Sequence, residues 1–235
     1  MSFTIGKNLS LLVDTLDLSS YFRGTEVKLD VAAHDSTTYK KNSRTYVAGL
    51  AGGSVSLDGL YDLTADAALY AHLSDTTPEV MTVGPEGLAV GARAFLLTPL
   101  ATNYTASAPV GDLVASKYTA TASSTVGAGV SLHDLAAETT TGNGTGVDGL
   151  ASSATGAVAH LHVSAFSGFS NVVVTVQDAS ASNFSDAAVI GTFTTVTGTT
   201  AQRITIAGTV RRYVRAVWTV TGSGSISFAT AIART

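Results

Sequence analysis

Two imidazoles stand two positions apart in this chain, at His160 and His162. On a strand that spacing points both rings to one side, which is how half of a metal site begins. No third ligand lies near them in sequence, so a polar strand face accounts for them better. Arg211, Tyr213 and Arg215 share one strand face and have the chemistry of an anion- or glycan-binding patch; a solvated or intersubunit face is the plainer reading. Trp218 is the residue type of a sugar-stacking platform, but its facial companions Val214, Ala216 and Val220 favour a core position. Asp58 and Asp62 flank Tyr61 as a carboxylate pair would, yet beside a helix start they read as turn and cap residues. His34 and Asp35 lack a nucleophile. The stretch Glu138 to Gly149 has the spaced glycines of a phosphate loop but no Lys, no strong strand before it and no helix after it. Nowhere do a nucleophile, a base and an oxyanion donor come together. The expectation is a protein that is not an enzyme, with no cofactor and no metal.

Composition points the same way. The 235 residues contain no Cys, which excludes disulfides, Cys-ligated zinc, iron–sulfur clusters and thiol catalysis. Hydrophobic residues make up 45 % and charged residues only 13 %, about half the usual ~25 %. Disorder needs the opposite balance. So sparse a charged coat suggests a surface covered by partners. Residues 1–144 carry 8 Lys/Arg against 14 Asp/Glu, whereas residues 145–235 carry 5 Arg against 3 Asp. The acidic first part disfavours tight nucleic-acid binding. The start, Met1 to Lys7, lacks the basic and apolar stretches of a signal peptide. No run approaches the ~20 apolar residues of a membrane helix. The expectation is a soluble protein made in a cytoplasm, with no membrane partner.

The elements that must position these residues are mainly strands. Thr25 to Val31 alternates strictly, with Val27, Leu29 and Val31 on one face and Glu26, Lys28 and Asp30 on the other. The segment His34 to Arg44 has no apolar period and reads as a long polar loop. Ser54 to Asp62 alternates again. One helix is expected at about 65–73, capped by Thr64, with Leu69 and Leu73 as its apolar stripe. The Thr/Gly-rich stretch 138–149 reads as a linker. Beyond it, strands are expected at Ala157 to Phe166, Val172 to Gln177, Ala188 to Thr195, Gln202 to Ile206, Arg211 to Thr221 and Ser225 to Ala233. That spacing suggests a sandwich. Val172, Val174, Val176, Ile204, Ile206, Val214, Trp218, Val220 and Phe228 are its expected centre. The domains are therefore expected at 1–137 and 150–235, joined by 138–149.

Residues 17–61 carry a recognisable pattern: a turn at Asp17-Leu18-Ser19-Ser20-Tyr21, an alternating strand ending at Asp30-Val31, and a polar loop with Thr37 and Thr38. Tyr46-Val47-Ala48-Gly49-Leu50 and Ser54 to Asp62 follow. With the helix and Ser107 to Val114, this resembles the major tail (tail tube) proteins of long-tailed, non-contractile bacteriophages to roughly residue 135. Residues 157–218 are similar to a β domain appended to some of them. The basic run Lys40-Lys41-Asn42-Ser43-Arg44 departs from the family pattern.

The resemblance implies a tail-tube-type β barrel or sandwich with one short flanking helix, plus an Ig-like or jelly-roll-like C-terminal sandwich. It implies self-assembly into hexameric rings stacked into a tube in the virion tail, through which double-stranded DNA passes, with tape-measure and tail-terminator proteins as further partners. It makes His34, Asp35, Lys40, Lys41 and Arg44 the contact loop between rings. Glu26, Lys28 and Asp30 become lumen-facing candidates and Arg211, Tyr213 and Arg215 outer-surface candidates. The alternative is a phage decoration or adhesin-type module that binds glycans.

Overall fold

The computed structural model describes residues 6–235, and the first five residues of the start read above for a signal peptide lie outside the described residues. In chain order the strands begin with β1 (Ser10–Val13), β2 (Leu16–Asp17), β3 (Phe22–Asp35) and β4 (Tyr46–Leu60), followed by helix α1 (Leu63–His72). Next come β5 (Met81–Gly84), β6 (Arg93–Leu97), β7 (Pro99–Ser107), β8 (Ala115–Ala122) and β9 (Gly127–Glu138). The last are β10 (Gly142–Asn143), β11 (Val147–Asp148), β12 (Ala157–Ala179), β13 (Ala188–Thr192), β14 (Thr200–Ile206) and β15 (Tyr213–Arg234). Among the described residues the fold is mainly β, with two antiparallel sheets and no closed barrel.

These strands form two compact units that do not follow the expected division at 138–149. The first unit takes the chain up to Ser20, Val80–Leu96 and Gly127–Thr235. Its sheet runs β13-β12-β15-β9-β6-β5-β1-β2, with β14 on β12 and both β10 and β11 on β15. The strands expected at 157–166 and 172–177 are one strand of 23 residues, and those at 211–221 and 225–233 are one of 22. β12 and β15 pair along almost their whole length. Register shifts after Val163, Ser167 and Phe169 bend the pair without breaking it. Gly168 takes φ +77° there, and a Cβ on it would meet the Ser223 carbonyl at 2.6 Å. Glycine, which reads as a strand end in sequence, here permits a bend inside one ladder.

One face of this pair builds the core of the first unit. Val172, Val174, Val176, Ile206, Val214, Trp218 and Phe228 are buried in it, with Ile204 and Val220 packed at its margin. The 138–149 segment is not a free linker. Gly142 pairs with Trp218, and Val147 with Val214. Trp218 Nε1 donates to the Thr140 carbonyl at 2.9 Å, and Thr141 Oγ1 accepts from the Val220 amide at 3.0 Å. A Thr/Gly stretch offers no apolar alternation, but its backbone groups still extend a sheet edge.

The second unit takes Tyr21–Glu79 and Leu97–Val126. Its sheet runs β3-β4-β8-β7, all antiparallel. Val55, Leu57, Tyr118 and Ala120 are buried on one face. Helix α1 is tied to β7 there, where Tyr104 Oη donates to Asp66 at 2.6 Å. The cap is Asp62, not Thr64: its carboxylate accepts the amides of Thr64 at 2.8 Å and Ala65 at 3.4 Å. Such a cap is worth ~1 kcal/mol. The helix starts two residues earlier than expected, and its buried side is Ala65 and Leu69 rather than Leu69 and Leu73.

Candidate assembly surface

The second unit leaves three surfaces uncovered by its own side chains. The first is the polar face of its sheet. Cross-strand pairing places Glu26 beside Ser56 and Ser56 beside Thr119; the next row is Lys28, Ser54 and Thr121. Lys28 Nζ lies 3.8 Å from Asp30, and Arg23 Nε lies 3.9 Å from Asp58. Asp58 also pairs in register with Lys117. Glu26, Lys28 and Asp30 therefore do share one exposed face, as alternation required. That face is balanced rather than acidic, because Arg23, Lys28 and Lys117 offset Glu26, Asp30 and Asp58. Arg23 and Lys28 stand on β3 itself, whereas Lys117 comes from β8, two strands away, where a reading of one strand does not reach.

The second surface is a hairpin arm. β3 and β4 continue to pair through Val31–Ala51, Ala33–Ala48, His34–Val47 and Asp35–Tyr46. Every residue from Lys28 to Ala48 is exposed. Leu50 is 88 % exposed and Tyr39 fully so. His34 and Asp35 belong to the strand, not to the loop, which is 36–45. The tip closes on itself. The Ser36 amide donates to the Thr45 carbonyl at 2.8 Å, and the Thr45 amide to Thr37 Oγ1 at 2.9 Å. The Asp35 carboxylate accepts the Thr37 amide at 2.8 Å, and hydrogen bonding with Thr37 holds its pKa below the ordinary value. Lys40, Lys41 and Arg44 all lie in this tip and are exposed.

The third surface lies at the other end of the same strands. Leu60 pairs with Ala115, and the Tyr61 amide donates to the Val114 carbonyl at 2.9 Å. Val110, Leu113 and Leu63 are exposed there, at 107 %, 65 % and 71 %.

The first unit holds the other candidates, and most are internal. His160 and His162 are buried rather than presented on a polar face. The Thr82 hydroxyl stands between them, 3.2 Å from His160 Nδ1 and 2.8 Å from His162 Nε2. His162 Nδ1 donates to the Asp14 carbonyl at 2.7 Å. Its Nε2 is therefore the acceptor, Thr82 donates to it, and His160 Nδ1 donates to Thr82. Burial pushes both pKa values down, His162 to about 4. Among the described residues no three His, Asp or Glu gather as a metal site.

Arg211, Tyr213 and Arg215 are half-buried, and the two arginines are engaged within the fold. Arg211 reaches Asp178 at 2.6 Å and Asp186 at 2.9 Å. Arg215 donates to Gln177 at 2.9 Å and lies 4.2 Å over the Phe184 ring. The more exposed cation of this group is Arg212, paired with Asp148 at 2.7 Å. Their carboxylate partners lie 25 or more positions away, beyond the reach of local pattern.

No protein-family model matches the chain, and no curated protein matches it. Solved structures similar to it include a virion of a native gene transfer agent particle, at 15 % identity and TM-score 0.45 over 54 % of this chain and 98 % of that one. The SPP1 tail tube aligns at 9 % identity and TM-score 0.43, covering 54 % of this chain and 80 % of that one. The SPP1 Dit protein, described as a paradigm of the hub adsorption apparatus of phages infecting Gram-positive hosts, aligns at 13 % identity and TM-score 0.38 over 95 % and 98 %.

Proposed function

We propose that this chain is a structural virion protein that assembles into hexameric rings stacked as a phage tail tube, through which double-stranded DNA passes. The observation that carries the reading is the four-stranded sheet of the second unit. Its edge strands β3 and β7 pair with no further strand among the described residues. An exposed strand edge invites pairing with another chain. Joining β3 of one copy to β7 of the next continues the sheet head to tail, a heterologous contact that forms a ring when its rotation closes. The polar, charge-balanced face supplies a wall with no net attraction for phosphate, which suits passage rather than binding. The residue pattern in 17–135 supports the same reading. Tape-measure and tail-terminator proteins are the further partners it implies, and the virion tail is its place. The engagement of Arg211 and Arg215 inside the fold leaves the glycan-binding alternative without its candidate patch.

The test is electron microscopy and analytical ultracentrifugation of the purified full chain across concentration and salt. Rings or tubes with a central bore are expected. A strictly monomeric species under all conditions overturns the reading.

A further inference from the structure

Strands β6, β9 and β15 of the first unit border a cleft of about 160 Å³, well above the ~10–15 Å³ that admits a single water. Its floor is apolar: Val214 and Ile232 belong to the main core, Val130 packs at that core's margin, and Ala128 lies beside them. Two guanidiniums, those of Arg93 and Arg234, stand at its rim. Register brings them there. Arg93 pairs with Val130 and Val130 with Ile232, so Arg93 and Arg234 project from one face, two strands apart. Neither has a carboxylate of its own. Arg93 makes no hydrogen bond or ion pair among the described residues, and its guanidinium lies 5.6 Å over the Phe95 ring. Arg234 donates to the carbonyls of Ala151, of Arg211 at 2.7 Å and of Arg212 at 3.0 Å. Those three bonds hold the guanidinium in place and leave two of its five N–H groups without a protein partner. The carboxylates whose charge reaches Arg234, Asp178 and Asp148, are committed to Arg211 and Arg212 instead. Gly149 keeps the rim open, because a Cβ there would collide with Arg234 Nη2. The geometry points to a binding site for a small organic carboxylate, its oxygens between Arg93 and Arg234 and its short apolar body on Val130, Val214 and Ile232. An ionised acceptor makes the stronger kind of hydrogen bond to a guanidinium. The apolar body covers floor that water otherwise wets. Inorganic phosphate suits the cleft less, since its further oxygens would face a floor with no donors. The site lies wholly within the first unit, so single and assembled chains present it alike.

Equilibrium dialysis of radiolabelled butanoate against the full chain tests the site. One butanoate per chain is expected, with half-saturation at about 1 mM or below. Butanamide keeps the shape without the charge and should fail to compete. Inorganic phosphate should compete roughly tenfold less well or worse. Arg93→Ala should weaken butanoate binding roughly tenfold or more, the loss of a charge-assisted hydrogen bond. That side chain is exposed and holds nothing else in the fold, so circular dichroism of the variant should be unchanged. Ala128→Trp, also at an exposed position, should fill the cleft and block binding with no change in charge. No saturable uptake by the unaltered chain, uptake that survives either variant, or phosphate bound as tightly as butanoate overturns the assignment.

Discussion

Thr82 and His162 are locked together: the Thr82 hydroxyl donates to His162 Nε2 at 2.8 Å, with the ring's other nitrogen held by the Asp14 carbonyl. This arrangement accepts only neutral imidazole at His162. His160 Nε2 is buried with no hydrogen-bond partner, and neighbouring Arg203 also disfavours a charge on His160. The pair thus seats β12 against β5 and the β1–β2 turn by neutral hydrogen bonds.

A first prediction concerns acid. His162 has a folded pKa of about 4 against an unfolded value of 6.5. The unfolded chain binds the extra proton in that window, so stability is full above pH 6.5 and falls as pH drops towards 4. The loss attached to His162 is on the order of 3 kcal/mol once pH is below 4. The lowered carboxylates, Asp35, Asp75, Asp148 and Asp186, act mainly below their ordinary value of 3.8, so they do not mask it. Thermal melts at pH 7 and pH 4.5 should show this fall, and His162→Gln should make it shallower, leaving the part that buried His160 contributes in the same window. An unchanged slope in that variant refutes the assignment.

Trp218 gives a second prediction. It is buried against Phe228 and His133, and its indole holds Thr140. Trp218→Ala should cost ~3–5 kcal/mol. Trp218→Phe keeps most of the packing and loses the hydrogen bond, so ~1 kcal/mol is expected. Denaturant unfolding of the two variants measures both. Equal losses would mean that the ring contributes little beyond its N–H.

The way these elements were readable follows from what each depends on. Alternation along β4 and β15 identified buried and exposed faces correctly, because side-chain direction in a strand is a local property; along β3 it set Val27, Leu29 and Val31 on one face, but Leu29 and Val31 are exposed because the strand runs on into the arm. The core residues of β12 and β15 were legible for the same reason. What escaped was non-local. Glycines at 168 and 222 look like strand ends, yet the ladder runs through them. The Thr/Gly segment 138–149 shows no strand pattern, but its backbone pairs with β15. Arg211 reads as exposed until Asp178, 33 positions away, folds against it. The polar loop expected at 34–44 falls at 36–45, because His34 and Asp35 continue the pairing with Val47 and Tyr46, a cross-strand property that the polar run does not show.

A third prediction follows from the pairing of β9, β10 and β11 with β15. Residues 150–235 are not an appended domain of their own, since β15 lies next to β9, and β9 next to β6. Truncation after Thr145 removes β12 and β15 from that sheet and exposes Leu132 and its neighbours in the core. The truncated chain should be insoluble or molten, with lost near-ultraviolet dichroism. A folded, cooperative fragment 1–145 would show that β9, β6, β5 and β1 hold together without them.

The polar face of the second unit gives the last prediction. Its charges cancel pairwise, with Lys28 beside Asp30 and Arg23 beside Asp58. Exposed pairs like these contribute little to stability, so replacing them should leave the fold intact. What they control is the interaction with phosphate. Glu26→Lys with Asp30→Lys turns a balanced face basic on the strand that also carries Lys28. Each added phosphate contact steepens the salt dependence of DNA binding by about one unit. The unaltered protein should therefore bind double-stranded DNA weakly at every salt concentration. The double variant should retain it at low salt and release it as salt rises, read by fluorescence anisotropy on a labelled duplex. If the face lies inside an assembled tube, the variant should still form tubes but slow DNA transit. Tight DNA binding by the unaltered protein, abolished by Lys28→Ala or Lys117→Ala, would instead make this face a nucleic-acid site and remove it as a neutral wall.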